Sequence, residues 1–224
     1  MHEQTINRHR RTMMKAMSAS SLVLAGGAGT ANAAIAEDPW GRAKEIAGHL
    51  SKPLKFREQD FVITAYGAAQ CKLVPLKAWI SHDDQAMLQT HAPGSKDCYP
   101  AIKAAIAACH KAGGGRVVIP AGNWYVAGPI VLLSNVHVHL KKGANVLFSN
   151  RPEDYAKYGD FDCGKQGKLV ISRWQSNDCL NFASMVYAYG QDNIALTGED
   201  WTSILNGQGG VPFNGNEGDC WWTW

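Results

Sequence analysis

Charge is scarce in this 224-residue chain, and so are long apolar runs. Asp, Glu, Lys and Arg together make up 18% of it, below the roughly 25% usual for soluble domains. The formal net charge is +3, and Arg8, Arg10, Arg11 and Lys15 place most of that excess in residues 1–33. Such a balance excludes a nucleic-acid or anionic-membrane surface as the principal role, because both are held by clustered Lys and Arg. A membrane-spanning helix needs ~20 mostly apolar residues. The best stretch, Ala16 to Ala28, is shorter, weakly apolar and interrupted by Gly26 and Gly27. Spacers long enough for a crossover helix are missing between most of the β-branched runs that follow Val117, which excludes a large open sheet there.

What precedes the fold is an address. Basic residues, a weakly apolar stretch and Ala31-Asn32-Ala33 make the pattern of an export signal over residues 1–33, with cleavage expected after Ala33. Arg10-Arg11-Thr12-Met13-Met14-Lys15 is similar to a twin-arginine signal, and either export route predicts a secreted or periplasmic protein. Cys71, Cys98, Cys109, Cys163, Cys179 and Cys220 form an even set in an exported chain, which predicts disulfides without singling out a pairing. Free, buried thiols are the alternative.

Residues 34–59 read as a helical leader. Asp38-Pro39 can start a helix carrying Trp40, Ala43, Ile46, Ala47 and Leu50 at helical spacing, and Ser51-Lys52-Pro53 ends it. Phe61 to Gly67 is a β-rich run, and Ala68 to Lys96 is mixed and irregular. Within that stretch Ser81-His82-Asp83-Asp84 suggests acid/base or metal chemistry, but adjacent residues point apart on a strand and are solvated in a loop. Asp97 to Lys111 predicts a helix with Asp97 as its cap and Ile102, Ile106 and Cys109 on one face. Gly113-Gly114-Gly115 then makes a tight turn into a strand, in the wrong order for a phosphate loop.

From Val117 the chain becomes a series of short β-branched runs parted by Gly, Asn or Pro: Val117–Ile119, Ile130–Leu133, Val136–Leu140, Val146–Phe148, Leu169–Ser172, Met185–Tyr189, Asn193–Thr197 and Ser203–Leu205. Stacked coils of a parallel β-helix accommodate such runs, each pairing with the coil above and below. Asn135-Val136-His137-Val138 is echoed by Asn193-Ile194-Ala195-Leu196, and Val146-Leu147 by Ile204-Leu205. Asn150 to Gln166 is expected to loop out of one coil. The Ala- and Ile-rich helix before the coils is expected to cap them, because a bare coil end presents pairing edges.

These residues resemble a known family. Asp97-Cys98-Tyr99-Pro100-Ala101-Ile102 followed by Gly113-Gly114-Gly115-Arg116-Val117-Val118-Ile119-Pro120-Ala121-Gly122 resembles the opening of the pectin-lyase-like β-helix proteins. Gly128-Pro129-Ile130-Val131-Leu132 and Leu140-Lys141-Lys142-Gly143-Ala144 are similar to the polygalacturonase branch, glycoside hydrolase family 28. So are Asn193 to Glu199, Asn206-Gly207-Gln208-Gly209 and Trp221-Trp222. The resemblance covers residues 60–224 and implies an all-β, right-handed parallel β-helix with a capping α-helix. It also implies a hydrolase that cleaves α-1,4-galacturonosyl links of pectin with inversion, binding pectin or polygalacturonate, and a monomer when full length.

Inversion needs a carboxylic acid and a carboxylate ~6.5–9.5 Å apart. The family's Asn-Thr-Asp, Asp-Asp, Gly-His-Gly and Arg-Ile-Lys motifs are not in place. Asp83-Asp84 precedes the coils, Gly48-His49 is followed by Leu50, and Ala101-Ile102-Lys103 lies on the expected cap. No catalytic, cofactor or metal residue is therefore assigned. The chain is expected to be the N-terminal portion of such an enzyme, inactive alone and prone to associate through its last coil. A non-catalytic carbohydrate-binding or structural module, or a rhamnogalacturonan-type glycosidase, are the alternatives. His137 and His139 share a strand face without an evident third ligand, and Trp201, Trp221, Trp222 and Trp224 are expected to pack between coils more than to stack on sugars. Asn206, where the family has Asp, and Gly198-Glu199-Asp200-Trp201-Thr202 are read as turn positions.

Overall fold

The computed structural model describes residues 40–50, 53–81, 83–213 and 218–223, with Leu50 lacking a described side chain. The expected export signal, Asp38-Pro39, His82 and Trp224 lie outside the described residues. The chain divides into two compact units, 1–52 and 53–224. In the first, Gly41–Leu50 is helical, its side chains are exposed through His49, and Arg42 pairs with Glu45 at 2.7 Å. Among the described residues no helix is long and apolar enough to cross a membrane.

The second unit is mostly strands. They are β1 (Asp60–Val62), β2 (Leu73–Trp79), β3 (Gln85–His91), β4 (Gly115–Ile119), β5 (Gly122–Val126), β6 (Ile130–Val131), β7 (Val136–Leu140) and β8 (Ala144–Phe148). They continue with β9 (Phe161–Asp162), β10 (Lys168–Trp174), β11 (Asn177–Asn181), β12 (Val186–Tyr187), β13 (Ala195–Gly198) and β14 (Ile204–Asn206). Three sheets are parallel: β1-β4-β7-β13, β5-β8-β14 and β6-β12. From β4 the chain visits the first, second and third of these sheets in turn, returns to the first and second, then makes one excursion and visits third, first and second again. Each short strand therefore finds its backbone partners one circuit away.

Alternation decides what the sheets enclose. On β7, Val136, Val138 and Leu140 are buried, whereas His137 and His139 point outward. Val117, Ile119, Trp124, Val126, Ile130, Val146 and Phe148 join them in one core. The Asn echo is physical. Asn135 and Asn193 both adopt positive φ, 66° and 53°, and Asn193 Nδ2 donates to Asn135 Oδ1 at 3.0 Å. Asn tolerates that left-handed backbone because its short amide bonds locally. A second Asn step joins Asn145 Nδ2 to Asn123 Oδ1 at 2.9 Å. The second echo is displaced by one residue: Ile204 faces Asn145 and Leu205 faces Val146.

The predicted helix forms over Tyr99–Lys111 and packs on β1, β4, β6 and β7 with Ile102, Ile106 and Cys109 buried. Asp97 serves its start through Oδ1, which accepts the Tyr99 N–H at 2.8 Å and the Ala127 N–H at 2.9 Å. The helix ends at Lys111 with Ala112 as its C-cap, and Gly114 turns the chain at φ 106°, where an added Cβ would lie 2.5 Å from the Asn135 carbonyl oxygen.

Three expectations need correction. Ala68–Lys96 is not irregular, since β2 and β3 form an antiparallel hairpin. Leu169–Ser172 is not a coil strand: it belongs to β10, which pairs antiparallel with β11 across Gln175-Ser176, both at positive φ as a two-residue hairpin turn requires. The looped-out region thus reaches from Asn150 to the segment before β12 and carries the short Pro152–Tyr155 helix. Nor are disulfides present: all six cysteines are free, with Cys71, Cys98, Cys109 and Cys220 buried. Cys98 Sγ donates to the Ala69 carbonyl at 3.2 Å, while Cys179 faces Ser172 across the excursion hairpin. Burial pushes the Cys109 thiol up to about 11.

Candidate functional site

The densest polar cluster lies on the outward face of the β1-β4-β7-β13 sheet. Strand register builds it. Asp60 faces Arg116 across β1 and β4, Arg116 faces His137 across β4 and β7, and His139 faces Thr197 across β7 and β13. Because these positions alternate with buried Val117, Val138 and their neighbours, each side chain is forced outward. Arg116 grips Asp60 with two parallel bonds of 2.8 Å, a fork matching a carboxylate. This hydrogen bond with the guanidinium holds the Asp60 carboxyl below its ordinary value.

Thr197 Oγ1 sits between both imidazoles, 2.7 Å from His137 Nε2 and 2.8 Å from His139 Nδ1. Desolvation lowers the His137 pKa, and the neighbouring His139 and Arg116 charges act in the same sense. Further along, Glu199 accepts from Lys141 Nζ at 2.6 Å and from the Lys142 backbone N–H at 2.8 Å. Those bonds hold its carboxyl down to about 2. A cavity of about 560 Å³ opens where Phe56, Arg57 and Glu58 meet Asp60, Arg116 and His137. Phe56 lies 5.1 Å from His137, ring to ring.

This arrangement can bind hydrogen-bonding ligands, but it is poorly suited to acid catalysis. A general acid at neutral pH needs a carboxyl whose pKa is raised. Asp60 and Glu199 are both lowered, each by a cation placed against it.

The other residues singled out in the sequence fall elsewhere. Asp84 lies in the turn between β2 and β3, its Oδ2 accepting from Ser81 Oγ at 3.0 Å, and Asp83 is exposed in the same turn. His137 and His139 do come together, with ring centroids 5.4 Å apart, yet Thr197 and Glu199 satisfy them. Among the described residues no group of three His, Cys, Asp or Glu could hold a metal ion. Packing does not describe two of the described tryptophans: Trp201 is 90% exposed and Trp222 55% exposed. Trp221 is half-buried, against Phe213 at 5.1 Å and Tyr155 at 5.8 Å.

Asn206 and its neighbours form a turn, Asn206 Oδ1 accepting the Gln208 N–H at 3.0 Å, and Gly210 accepts the Trp79 N–H at 2.6 Å. Asp200 holds the neighbouring turn through the Thr202 N–H at 2.8 Å. Sequence reasoning missed Asp60, Arg116 and Glu199. Their signal was opposite charge at outward strand positions for Asp60 and Arg116 and just past a strand end for Glu199, but it becomes specific only once strand register is known.

No protein-family model matches the sequence, and neither does any curated protein. Solved structures do match. The chain is similar to the crystal structure of a hyperthermoactive exopolygalacturonase from Thermotoga maritima, with 25% identity and a TM-score of 0.50, over 70% of this chain and 28% of that one. A family 28 exopolygalacturonase from Yersinia enterocolitica is 23% identical with a TM-score of 0.40, over 63% of this chain and 20% of that one. The likeness to the Thermotoga structure shows a polygalacturonase-like fold over the matched part. The chain spans less than a third of the length of either structure.

Proposed function

We propose that this chain supplies the opening coils of a right-handed parallel β-helix in an exported, polygalacturonase-like glycoside hydrolase. The enzyme would cleave α-1,4-galacturonosyl links of pectin with inversion, and its location would be periplasmic or secreted. The likeness to the Thermotoga exopolygalacturonase carries this reading. The repeated circuit through three parallel sheets supports it, as does the helix seated at one end of the stack.

The chain by itself would be inactive. Inversion needs one carboxyl kept protonated and a second ionised across ~6.5–9.5 Å. Asp60 and Glu199, the carboxylates of the polar sheet face, are both held ionised. The acid and base would come from coils stacked beyond β12, β13 and β14.

Reducing-end release from polygalacturonate, followed with anomer-resolved NMR, tests the proposal. The complete gene product should release galacturonate with inverted configuration, and residues 34–224 should release none. Turnover by residues 34–224, or a complete product inert on every pectin, would overturn it.

A further inference from the structure

A cavity of about 300 Å³ opens beside Trp221, where the β10–β11 hairpin, the segment leading to β12 and the Trp221 turn meet. Its aromatic part is Phe182 and Trp221, both half-buried, over the buried ring of Tyr155, which lies 5.8 Å from Trp221 and is inclined at 76° to it. Tyr155 and Trp221 each have a further contact. The Tyr155 hydroxyl donates to the Ser149 carbonyl at 2.8 Å, and Phe213 lies 5.1 Å from Trp221.

Ala183 and Met185 add apolar surface, and Ser172, Asn181 and Ser184 supply the polar groups. Val170 faces Asn181 and Ser172 faces Cys179, so Ser172 and Asn181 are diagonal neighbours on one face of the hairpin. Asn181 spends its Oδ1 on the Phe182 N–H at 2.8 Å, and its Nδ2 donors have no hydrogen-bond partner among the described residues. Ser184 Oγ donates to the Val186 carbonyl at 2.6 Å and keeps its lone pairs for a ligand. No described residue of this lining carries a charge.

Together these features select a ligand class. The half-buried Phe182 and Trp221 rings suit the C–H faces of a pyranose, while Asn181, Ser172 and Ser184 suit its hydroxyls. The volume falls at the lower end of the ~300–1,000 Å³ typical of small-molecule sites. A carboxylate entering an uncharged cavity would lose hydration with no cation to replace it. We propose that this cavity binds a single neutral sugar ring, such as a side-chain sugar of branched pectin, and discriminates against galacturonate. That source rests on the proposed function above; the ligand chemistry rests on the cavity alone.

Titrating the full chain with methyl β-galactopyranoside and with galacturonic acid tests the site. The readouts are calorimetry and the Trp221 indole N–H resonance, identified by its loss in Trp221→Phe. The neutral glycoside should shift that resonance and bind about tenfold tighter than the acid, for want of a cation. Asn181→Ala should weaken it about fivefold, the worth of one hydrogen bond. Ser172→Ala provides a second variant, expected to act in the same direction.

Absence of any shift, equal affinity for the two sugars, or unchanged binding in both variants would overturn the proposal. If the complete gene product hydrolyses polygalacturonate while the cavity stays silent, this inference alone falls. If the glycoside binds and no pectin is cleaved, only the proposed function falls.

Discussion

The two ends of the coil stack are built differently. At one end the Tyr99–Lys111 helix lies on β1, β4, β6 and β7, and Ile102, Ala105, Ile106 and Cys109 are at most 2% exposed. At the other, β12, β13 and β14 are each the outermost strand of a parallel sheet, and Ile204 and Leu205 are 44% and 38% exposed. The same kind of short, β-branched strand is thus core at one end and surface at the other. Cover, more than composition, separates them. An uncovered edge strand is a pairing template, and the second end is therefore where a further coil, or a second copy, would add.

The largest expected effect lies at the covered end. Ile102→Ala should cost about 2–5 kcal/mol in urea unfolding, because it leaves a cavity in a sealed layer. The matching truncation Ile204→Ala should cost under about 1 kcal/mol, as for a surface site. Equal losses would break the comparison.

Between the ends, Asn135→Ala should destabilise by about 1–2 kcal/mol, because Ala is strained at a φ of 66° and lacks the Oδ1 that receives Asn193. Asn135→Gly should cost less, and an ordering reversed between the two would show that backbone strain is not the cause. At the open end the chain is expected to associate through its uncovered edge, and Leu205→Lys should leave the unfolding midpoint nearly unchanged while shifting light-scattering mass toward the monomer. Unaltered association would place the contact elsewhere.

The smallest effect concerns acid. The His137 pKa is lowered in the fold, so the neutral ring is favoured there; its stabilisation is complete above the ordinary value of 6.5 and is lost as pH falls through the folded value. The Asp60 pKa is lowered by Arg116, so its contribution is present above the ordinary value of 3.8 and is lost as pH falls further. Unfolding midpoints measured between pH 7 and 5 should therefore decline less in His137→Gln than in the parent. Identical slopes would remove His137 from the account.

Local signals in the sequence were read correctly where a residue's neighbours along the chain determine its state. The helix ending at Lys111, which starts at Tyr99 with Cys98 rather than Asp97 at its N-cap position, its inward Ile102 and Ile106, the Gly113–Gly115 turn and the alternation of β7 are of that kind. Asn135 and Asn193 carried longer-range information because a stacked left-handed position admits few residue types. Leu169–Ser172 misled, since a β-branched run does not encode whether its partner is parallel or antiparallel. The β2–β3 hairpin was hidden by its mixed sequence, half of it exposed. β5 was overlooked because Trp124 and Tyr125 stand between Gly122 and Gly128 in a stretch resembling turns. The site fared worse: Asp60, Arg116, His137, Thr197, His139 and Glu199 are brought together by register across four strands.

Amide hydrogen exchange by mass spectrometry tests the asymmetry between the ends most directly. Peptides covering β4, β7 and the Tyr99–Lys111 helix should exchange slowest, and those covering β12, β13 and β14 should exchange first. Uniform protection across all of these strands would contradict a stack that is sealed at one end and open at the other.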